Sequence, residues 1–255
     1  MKLLIKLGGT LLDQEDSRSR ITREIAQAAG GRRTVVVHGG GKQMTRFLNE
    51  RGVQSRFVDG LRVTTPEVVD ALLKVFAGSV NHGLVSAFVA AGARAVGLSG
   101  IDDGLVEAEQ LRQELGAVGK PVRSKPDLLE LLTAHGFLPV VACVAGDRQG
   151  NVYNVNADQM AVACAVGFRA DRLFFLTDVE GVRGADGAAF QALDAAACRD
   201  LIARGVATGG MQAKLEACIQ AVEGGVGEVV IAPGFRPGVV AALLRGEPLG
   251  TRVSK

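Results

Sequence analysis

A β-branched run, Val35-Val36-Val37, passes through His38 into Gly39-Gly40-Gly41, and a helix-like pattern begins at Lys42. This reads as a strand that ends in a loop without Cβ atoms and opens onto a helix N-terminus. Such a junction leaves several backbone N–H groups exposed at the positive end of a helix dipole, which suits an anion, most often a phosphate. A second apolar strand, Leu3-Leu4-Ile5-Lys6-Leu7, ends the same way at Gly8-Gly9. The rest of the chain is arranged around these two glycine loops and the lysine in the first strand.

Strand-like and helix-like runs alternate along the 255 residues. Helix patterns fall at 17–29, 42–51, 66–90, 126–135, 157–166, 195–204, 210–223 and 238–244. Thr64 with Glu67, or Thr65 with Pro66, starts the long one at 66. Strand patterns fall at 3–7, 34–37, 95–98, 138–144, 172–177 and 228–232, with a further short one at 250–253. Residues 60–64 read as a loop or short strand, residues 100–123 as an irregular β excursion at an edge, and residues 178–194 as a glycine-rich loop with a hairpin. This alternation predicts an α/β fold, a mainly parallel sheet with helices on both faces. The character changes between Gly146 and Asn154, which divides the chain into lobes at 1–153 and 154–255. No linker composition marks the change, so the lobes share one sheet.

Apolar residues make up 47% of the chain, enough for a sizeable core. The net charge of +2 gives no basis for binding nucleic acid or a membrane surface. No uninterrupted apolar run approaches the roughly 18 residues of a membrane span, and no leader precedes the first strand. Cys143, Cys164, Cys198 and Cys218 are widely spaced with no C-x-x-C pair, which reads as reduced, packed thiols in a cytoplasmic protein.

Two nucleotide motifs are excluded. A P-loop needs Ser or Thr after Gly-Lys, but Gln43 follows Gly41-Lys42 and Val36 stands where its first glycine belongs. A dinucleotide fingerprint would need glycine where Met44 stands. Other features have plain readings when taken singly. Three glycines also make a tight turn, and Lys6 could snorkel to the sheet end. Asn156 and Asp158 suit a helix N-cap and first turn, Arg62 a surface loop, and Lys214 a solvated helix face.

Together, in this order, they resemble the amino acid kinase family, over nearly the whole chain from Lys2 to Arg252. The resemblance is carried by Ile5-Lys6-Leu7-Gly8-Gly9, Val37-His38-Gly39-Gly40-Gly41, Gly60-Leu61-Arg62-Val63-Thr64 and Tyr153-Asn154-Val155-Asn156-Ala157-Asp158. It continues in Leu176-Thr177-Asp178-Val179-Glu180-Gly181-Val182, Gly209-Gly210-Met211 with Lys214, and Gly250-Thr251-Arg252. Some members carry Asp at the position of Gly209. The blocks at 60–64 and 153–158 are most similar to the branch that phosphorylates N-acetyl-L-glutamate.

The resemblance implies a three-layer αβα sandwich, the amino acid kinase fold. It implies transfer of the γ-phosphoryl of ATP to a carboxylate, with Mg²⁺ carried by the nucleotide phosphates and no dedicated metal site on the protein. Lys6 and Lys214 would stabilise the transferring group, Asp158 would hold both lysines, and the N–H groups of Gly9 and Gly40 would complete the cradle. Arg62 would bind the substrate α-carboxylate, with Asn154, Gly40 and Gly41 around the acylamino group. The nucleotide would bind through Asp178, Val179, Glu180, Gly181, Val182 and Arg183, then Val206, Ala207, Thr208 and Met211.

A kinase for another N-acylglutamate or for aminoadipate is the nearest rival. A catalytically silent regulatory subunit is the rival from another class, and it would be expected to have lost Lys6, Asp158 or Lys214. The helix at 66–90 carries more apolar surface than one face needs, and relatives pair through it, so a homodimer is expected. Arginine-regulated relatives carry an extra N-terminal helix. The first strand begins at Lys2, so insensitivity to arginine is expected as well.

Overall fold

The computed structural model describes all 255 residues. In chain order, β1 (Lys2–Leu7) leads through a 3₁₀ turn to α1 (Glu15–Ala29), β2 (Arg33–His38) and α2 (Gly41–Asn49). A small hairpin, β3 (Phe57–Val58) and β4 (Leu61–Arg62), precedes the long helix α3 (Pro66–Ala90). Then come β5 (Ala95–Ser99), β6 (Val106–Gln110), β7 (Val118–Ser124), α4 (Asp127–Ala134), β8 (Leu138–Ala142), β9 (Val144–Gly146), β10 (Val152–Val155) and α5 (Ala157–Phe168). The last part is β11 (Arg172–Thr177), β12 (Ala192–Asp194), α6 (Ala195–Ala203), α7 (Gly209–Glu223), β13 (Glu228–Pro233), α8 (Val239–Arg245) and β14 (Thr251–Ser254).

Eight strands form the main sheet in the order β12-β14-β13-β11-β1-β2-β8-β5. All neighbours are parallel except β13 and β14. The two central partners of β1 come from opposite halves of the chain: Leu7 pairs with His38 on one side and with Leu176 on the other. The loops that follow β1, β2 and β11 therefore leave the sheet side by side. Ligands of open α/β sheets bind at such a point, beyond the carboxyl ends of strands that diverge to either side.

Strand alternation sorts the core into two layers. Leu3, Ile5 and Leu7 pack with Ile21 and Ile25 of α1 and with α8. Leu4, Val35, Val37 and Phe175 face Met160 and Ala161 of α5 and Leu215 of α7. Lys6 shares the parity of Leu4, so its side chain leaves the sheet on the α5 and α7 face.

Three sequence readings need correction. Residues 106–110 and 118–124 are not an edge excursion: β6 and β7 close with β9 and β10 into a separate four-stranded barrel. The apolar run at 138–144 is also two strands, broken at Cys143, with β8 in the main sheet and β9 in the barrel. The hairpin in 178–194 is reduced to one antiparallel bridge, Arg183 to Ala189.

Thr65 is the N-cap of α3, accepting from the Val68 amide, with Pro66 in the first turn. The middle of α3, Leu73–Val80, is wound as π-helix. By length and composition α3 is apolar enough to cross a membrane, although polar residues interrupt it. Within the protein, its Val75 and Phe76 are buried in one core layer and Leu84 and Phe88 in the other. All four cysteines are buried free thiols.

Candidate active site

Asp158 lies in the first turn of α5, where Asn156 caps the helix by accepting from the amides of Asp158 (2.9 Å) and Gln159 (3.3 Å). The cap fixes the helix start, and with it the direction of the Asp158 carboxylate. Lys6 reaches one oxygen of that carboxylate, with Nζ 2.6 Å from Oδ1. Lys214, from the second turn of α7, reaches the other, with Nζ 3.1 Å from Oδ2. Lys6 and Asp158 are buried, while Lys214 is partly open to the cleft. Burial alone would raise the Asp158 pKa. The two ammonium groups outweigh it and hold the carboxyl below the usual range, so this group is a fixed anion between two cations.

The glycine loops meet beside this triad. A Cβ placed on Gly9 would lie 3.8 Å from the Gly41 nitrogen. No backbone hydrogen bond engages the N–H groups of Gly9, Gly40 or Gly41. Gly40 has no room for a side chain, because its Cβ would fall 2.8 Å from two carbons of the Phe76 ring. The π-helical stretch of α3 is what carries that ring.

Next to the loops is a cavity of about 190 Å³, lined in part by Gly39–Gly41, Arg62, Phe76, Cys143 and Asn154. Arg62 is 8% exposed yet pairs with no carboxylate. It donates to Thr45 Oγ1 (2.7 Å), to the Gly41 carbonyl (3.3 Å) and to Ser55, and it sits 4.7 Å from the Phe57 ring centroid. Burial lowers its pKa. A buried guanidinium without an acid is costly unless an anion arrives to pair with it. Asn154 projects from β10, and its amide donates to Thr64 Oγ1 at 3.0 Å. Larger cavities of about 450 and 530 Å³ exist elsewhere, but neither is lined by the lysine–aspartate triad or the glycine loops.

On the other side of Lys214, Asp178 follows β11. Its carboxylate accepts from Thr10 (3.1 Å) and Thr177 (3.1 Å), so it ties the loop after β1 to the loop after β11. Burial pushes its pKa up, but these hydrogen bonds and the charge of Lys214 bring it below the ordinary value. Val179, Glu180 and Arg183 present surface, and Glu180 is paired with Arg236 at 2.8 Å. Val182 is buried and its amide donates to Thr251 Oγ1 at 2.8 Å. Gly181 lies 2.7 Å, measured from a Cβ built on it, from that same oxygen. Val206, Ala207 and Thr208 lead into α7, which carries Met211 one turn before Lys214. Ala207 is buried like Val182, and its amide donates to the Leu201 carbonyl at 3.1 Å.

The structure thus brings Gly40, Gly41, Arg62 and Asn154 around one cavity, with Gly9 beside Gly41, and joins Lys6, Asp158 and Lys214 in an ion triad next to that cavity but not on its lining. Phe57, Phe76, Val118 and Cys143 also line the cavity and were not singled out in the sequence. Burial pushes the Cys143 thiol up to about 12, although Lys6 opposes the shift, so it is a small neutral wall. Among all residues no group of three or more His, Cys, Asp or Glu side chains is placed to hold a metal ion. Both oxygens of Asp158 are already engaged by lysines.

The model of the amino acid kinase family matches residues 1–233. An acetylglutamate kinase of Solibacter usitatus is 61% identical over 99% of both chains. One of Parvibaculum lavamentivorans is 39% identical over 99% of this chain and 88% of its own. Among solved structures, a protein from Streptococcus mutans UA159 superposes with a TM-score of 0.85 at 26% identity, covering 99% of this chain and 98% of that one. An N-acetylglutamate synthase of Neisseria gonorrhoeae, solved with coenzyme A and N-acetyl-glutamate, gives a TM-score of 0.88 at 23% identity. This chain covers 59% of that one and is itself covered in full, a likeness of fold.

Proposed function

Because the chain belongs to the amino acid kinase family, we propose that it transfers the γ-phosphoryl group of ATP to the side-chain carboxylate of N-acetyl-L-glutamate. The products are N-acetyl-γ-glutamyl phosphate and ADP, a step of arginine biosynthesis. The observation that carries this reading is the carboxylate of Asp158 clamped between Lys6 and Lys214, next to a cavity whose buried arginine has no acid partner.

The acceptor carboxylate is ionised near neutral pH, so no base is needed. One of its oxygens attacks the γ-phosphorus as the bond to the β-γ bridging oxygen of ATP breaks, and ADP leaves. Catalysis is then alignment plus positive charge on the transferring group. Lys6 approaches from the β1 side and Lys214 from the α7 side, and Asp158 keeps them apart at a fixed spacing. The N–H groups of Gly9 and Gly40 offer uncommitted donors to the phosphoryl oxygens. Arg62 forks onto the α-carboxylate, and Asn154 with the Gly41 backbone orients the acylamino group. The nucleotide lies along Asp178–Arg183, Val206–Thr208 and Met211.

Mg²⁺ would enter with ATP and supply neutralisation of the nucleotide charge, since no cluster of protein side chains is placed to hold it. The buried free thiols suit a reducing compartment. We also assign the chain to a homodimer formed through α3, whose Leu73 and Val89 are exposed.

The test is a hydroxamate assay with Mg-ATP and a panel of N-acetylglutamate, N-succinylglutamate, free glutamate and aminoadipate. Acyl hydroxamate from N-acetylglutamate alone supports the assignment. Product from another acid, with none from N-acetylglutamate, overturns it.

A further inference from the structure

His38 ends β2 and is fully buried. Its Nδ1 lies 2.8 Å from the carbonyl oxygen of Gly39. A carbonyl only accepts, so Nδ1 carries the proton and Nε2 is left as an acceptor. Asn81, itself 2% exposed, donates to that Nε2 from Nδ2 at 3.0 Å and to the Val140 carbonyl at 2.8 Å. The amide is seated tightly: a Cβ on Gly97 would fall 2.1 Å from its Oδ1. Burial drives the His38 pKa down to about 4, which keeps the ring in the neutral form this chain of hydrogen bonds requires.

The consequence lies one peptide further on. The carbonyl of Gly39 and the N–H of Gly40 belong to a single planar unit, and the chain contains no cis peptide bond. In a trans unit the two groups point in opposite directions. The hydrogen bond that draws the Gly39 carbonyl toward His38 therefore aims the Gly40 N–H the other way. That N–H has no partner in the protein, and Gly40 lines the cleft. With no Cβ on either side, the Gly39–Gly40 peptide has little else to hold its rotation.

We propose that His38, held by Asn81, is a positioning residue: it fixes the Gly39–Gly40 peptide so that the Gly40 N–H is preset toward the transferring phosphoryl group. His38 touches neither substrate and moves no proton. This inference rests on the phosphoryl-transfer reading above. It adds that the donor is oriented from behind, through α3, β5 and β8, and not by the ligand.

Two substitutions separate the ring nitrogens. In His38→Asn the side-chain amide nitrogen stands near the position of Nδ1 and can still donate to Gly39. In His38→Gln the side-chain amide stands near Nε2, where its oxygen can accept from Asn81 and no donor reaches Gly39. Wild type, both variants and His38→Leu are assayed side by side, with thermal unfolding of each. A wild type that forms no acyl phosphate sinks the reaction and leaves the geometry to the second measurement below. With an active wild type, His38→Gln and His38→Leu are expected to lose kcat on the order of 10²-fold, with KM for both substrates changed much less. His38→Asn should keep kcat within a few-fold of wild type. Equal kcat in the Asn and Gln variants, or rescue by Gln and not by Asn, overturns the proposal. ¹⁵N NMR of the His38 imidazole gives a reading that needs no variant: a protonated Nδ1 with a bare Nε2 supports it, and the reverse tautomer overturns it.

Discussion

The ammonium of Lys6 and the carboxylate of Asp158 approach to 2.6 Å, although 152 positions separate them in the chain. They meet because β1 is the central strand and α5 begins where the barrel hands the chain back to the sheet. Asp158 also holds Lys214. We predict that Lys6→Ala and Lys214→Ala each lower kcat by about 10²–10³-fold, the loss usual for one charge-stabilising donor. Asp158→Ala should be slow and also less stable, by roughly 3–5 kcal/mol, since a buried cation is left without its partner. Steady-state kinetics and urea unfolding check both. A Lys6→Ala enzyme with near-normal turnover removes this mechanism.

Arg62 gives a different signature. Its contact with the substrate α-carboxylate persists from ground state to transition state, so Arg62→Ala should raise KM for the acyl amino acid with little change in kcat. Lys at this position keeps charge but loses the fork and the stack over Phe57, so Arg62→Lys should recover only part of the affinity. The KM for ATP should not move in either variant. A change confined to ATP would place Arg62 on the wrong ligand.

The contact between Gly40 and Phe76 predicts a coupled pair. A methyl group at Gly40 meets the ring at 2.8 Å, so either the loop or the ring must shift. Gly40→Ala should lower kcat on the order of 10²-fold, the effect of a displacement near 1 Å at the reacting centre. Phe76→Leu in the same chain should restore part of that loss by making room. A double-mutant cycle measures the coupling. Strict additivity would mean that the loop is not seated against the ring.

Much of this site was legible because its parts are local. Val35 to Gly41 shows a strand becoming a glycine loop at a helix start within seven residues, and period two puts Lys6 on the face opposite Ile5 and Leu7. The barrel was not legible. β6 and β7 pair with β9 and β10 across long stretches of chain, and alternation in 100–123 carries no record of its partners. The break at Cys143 is equally silent, because Val144 and Ala145 are as apolar as Val140 and Val141. Phe57, Phe76 and Cys143 read as ordinary core or loop residues until folding brings them around Arg62. Asn81 carries no local signal in the sequence, and only the fold places it against His38.

Helix α3 leaves Leu73 at 38% and Val89 at 55% exposure, on an element whose other apolar residues build both core layers. The homodimer proposed above would cover these two residues. Light scattering of the purified chain should give twice the 26.5 kDa of one protomer. Val89→Glu should shift that value toward the monomer. A monomeric wild type at micromolar concentration, or a dimer indifferent to substitutions along α3, contradicts the assignment.

His38 makes stability depend on pH in a window that can be stated in advance. Its imidazole titrates near 6.5 in the unfolded chain and at about 4 in the folded one, because burial disfavours the charged ring. Between those values the unfolded chain binds the extra proton and the native one does not, so acid favours unfolding. The contribution is fully present above pH 6.5 and falls as pH is lowered toward 4, on the order of 3 kcal/mol at about 1.4 kcal/mol per pH unit. Asp158 acts lower down: its depressed pKa keeps its contribution until the pH falls below the ordinary carboxylate range. Urea unfolding at pH 7, 6 and 5 should therefore show wild type losing stability faster than His38→Asn, which has no group to protonate in that interval. Parallel curves for the two proteins would mean that His38 is not the buried neutral donor seen behind the glycine loop.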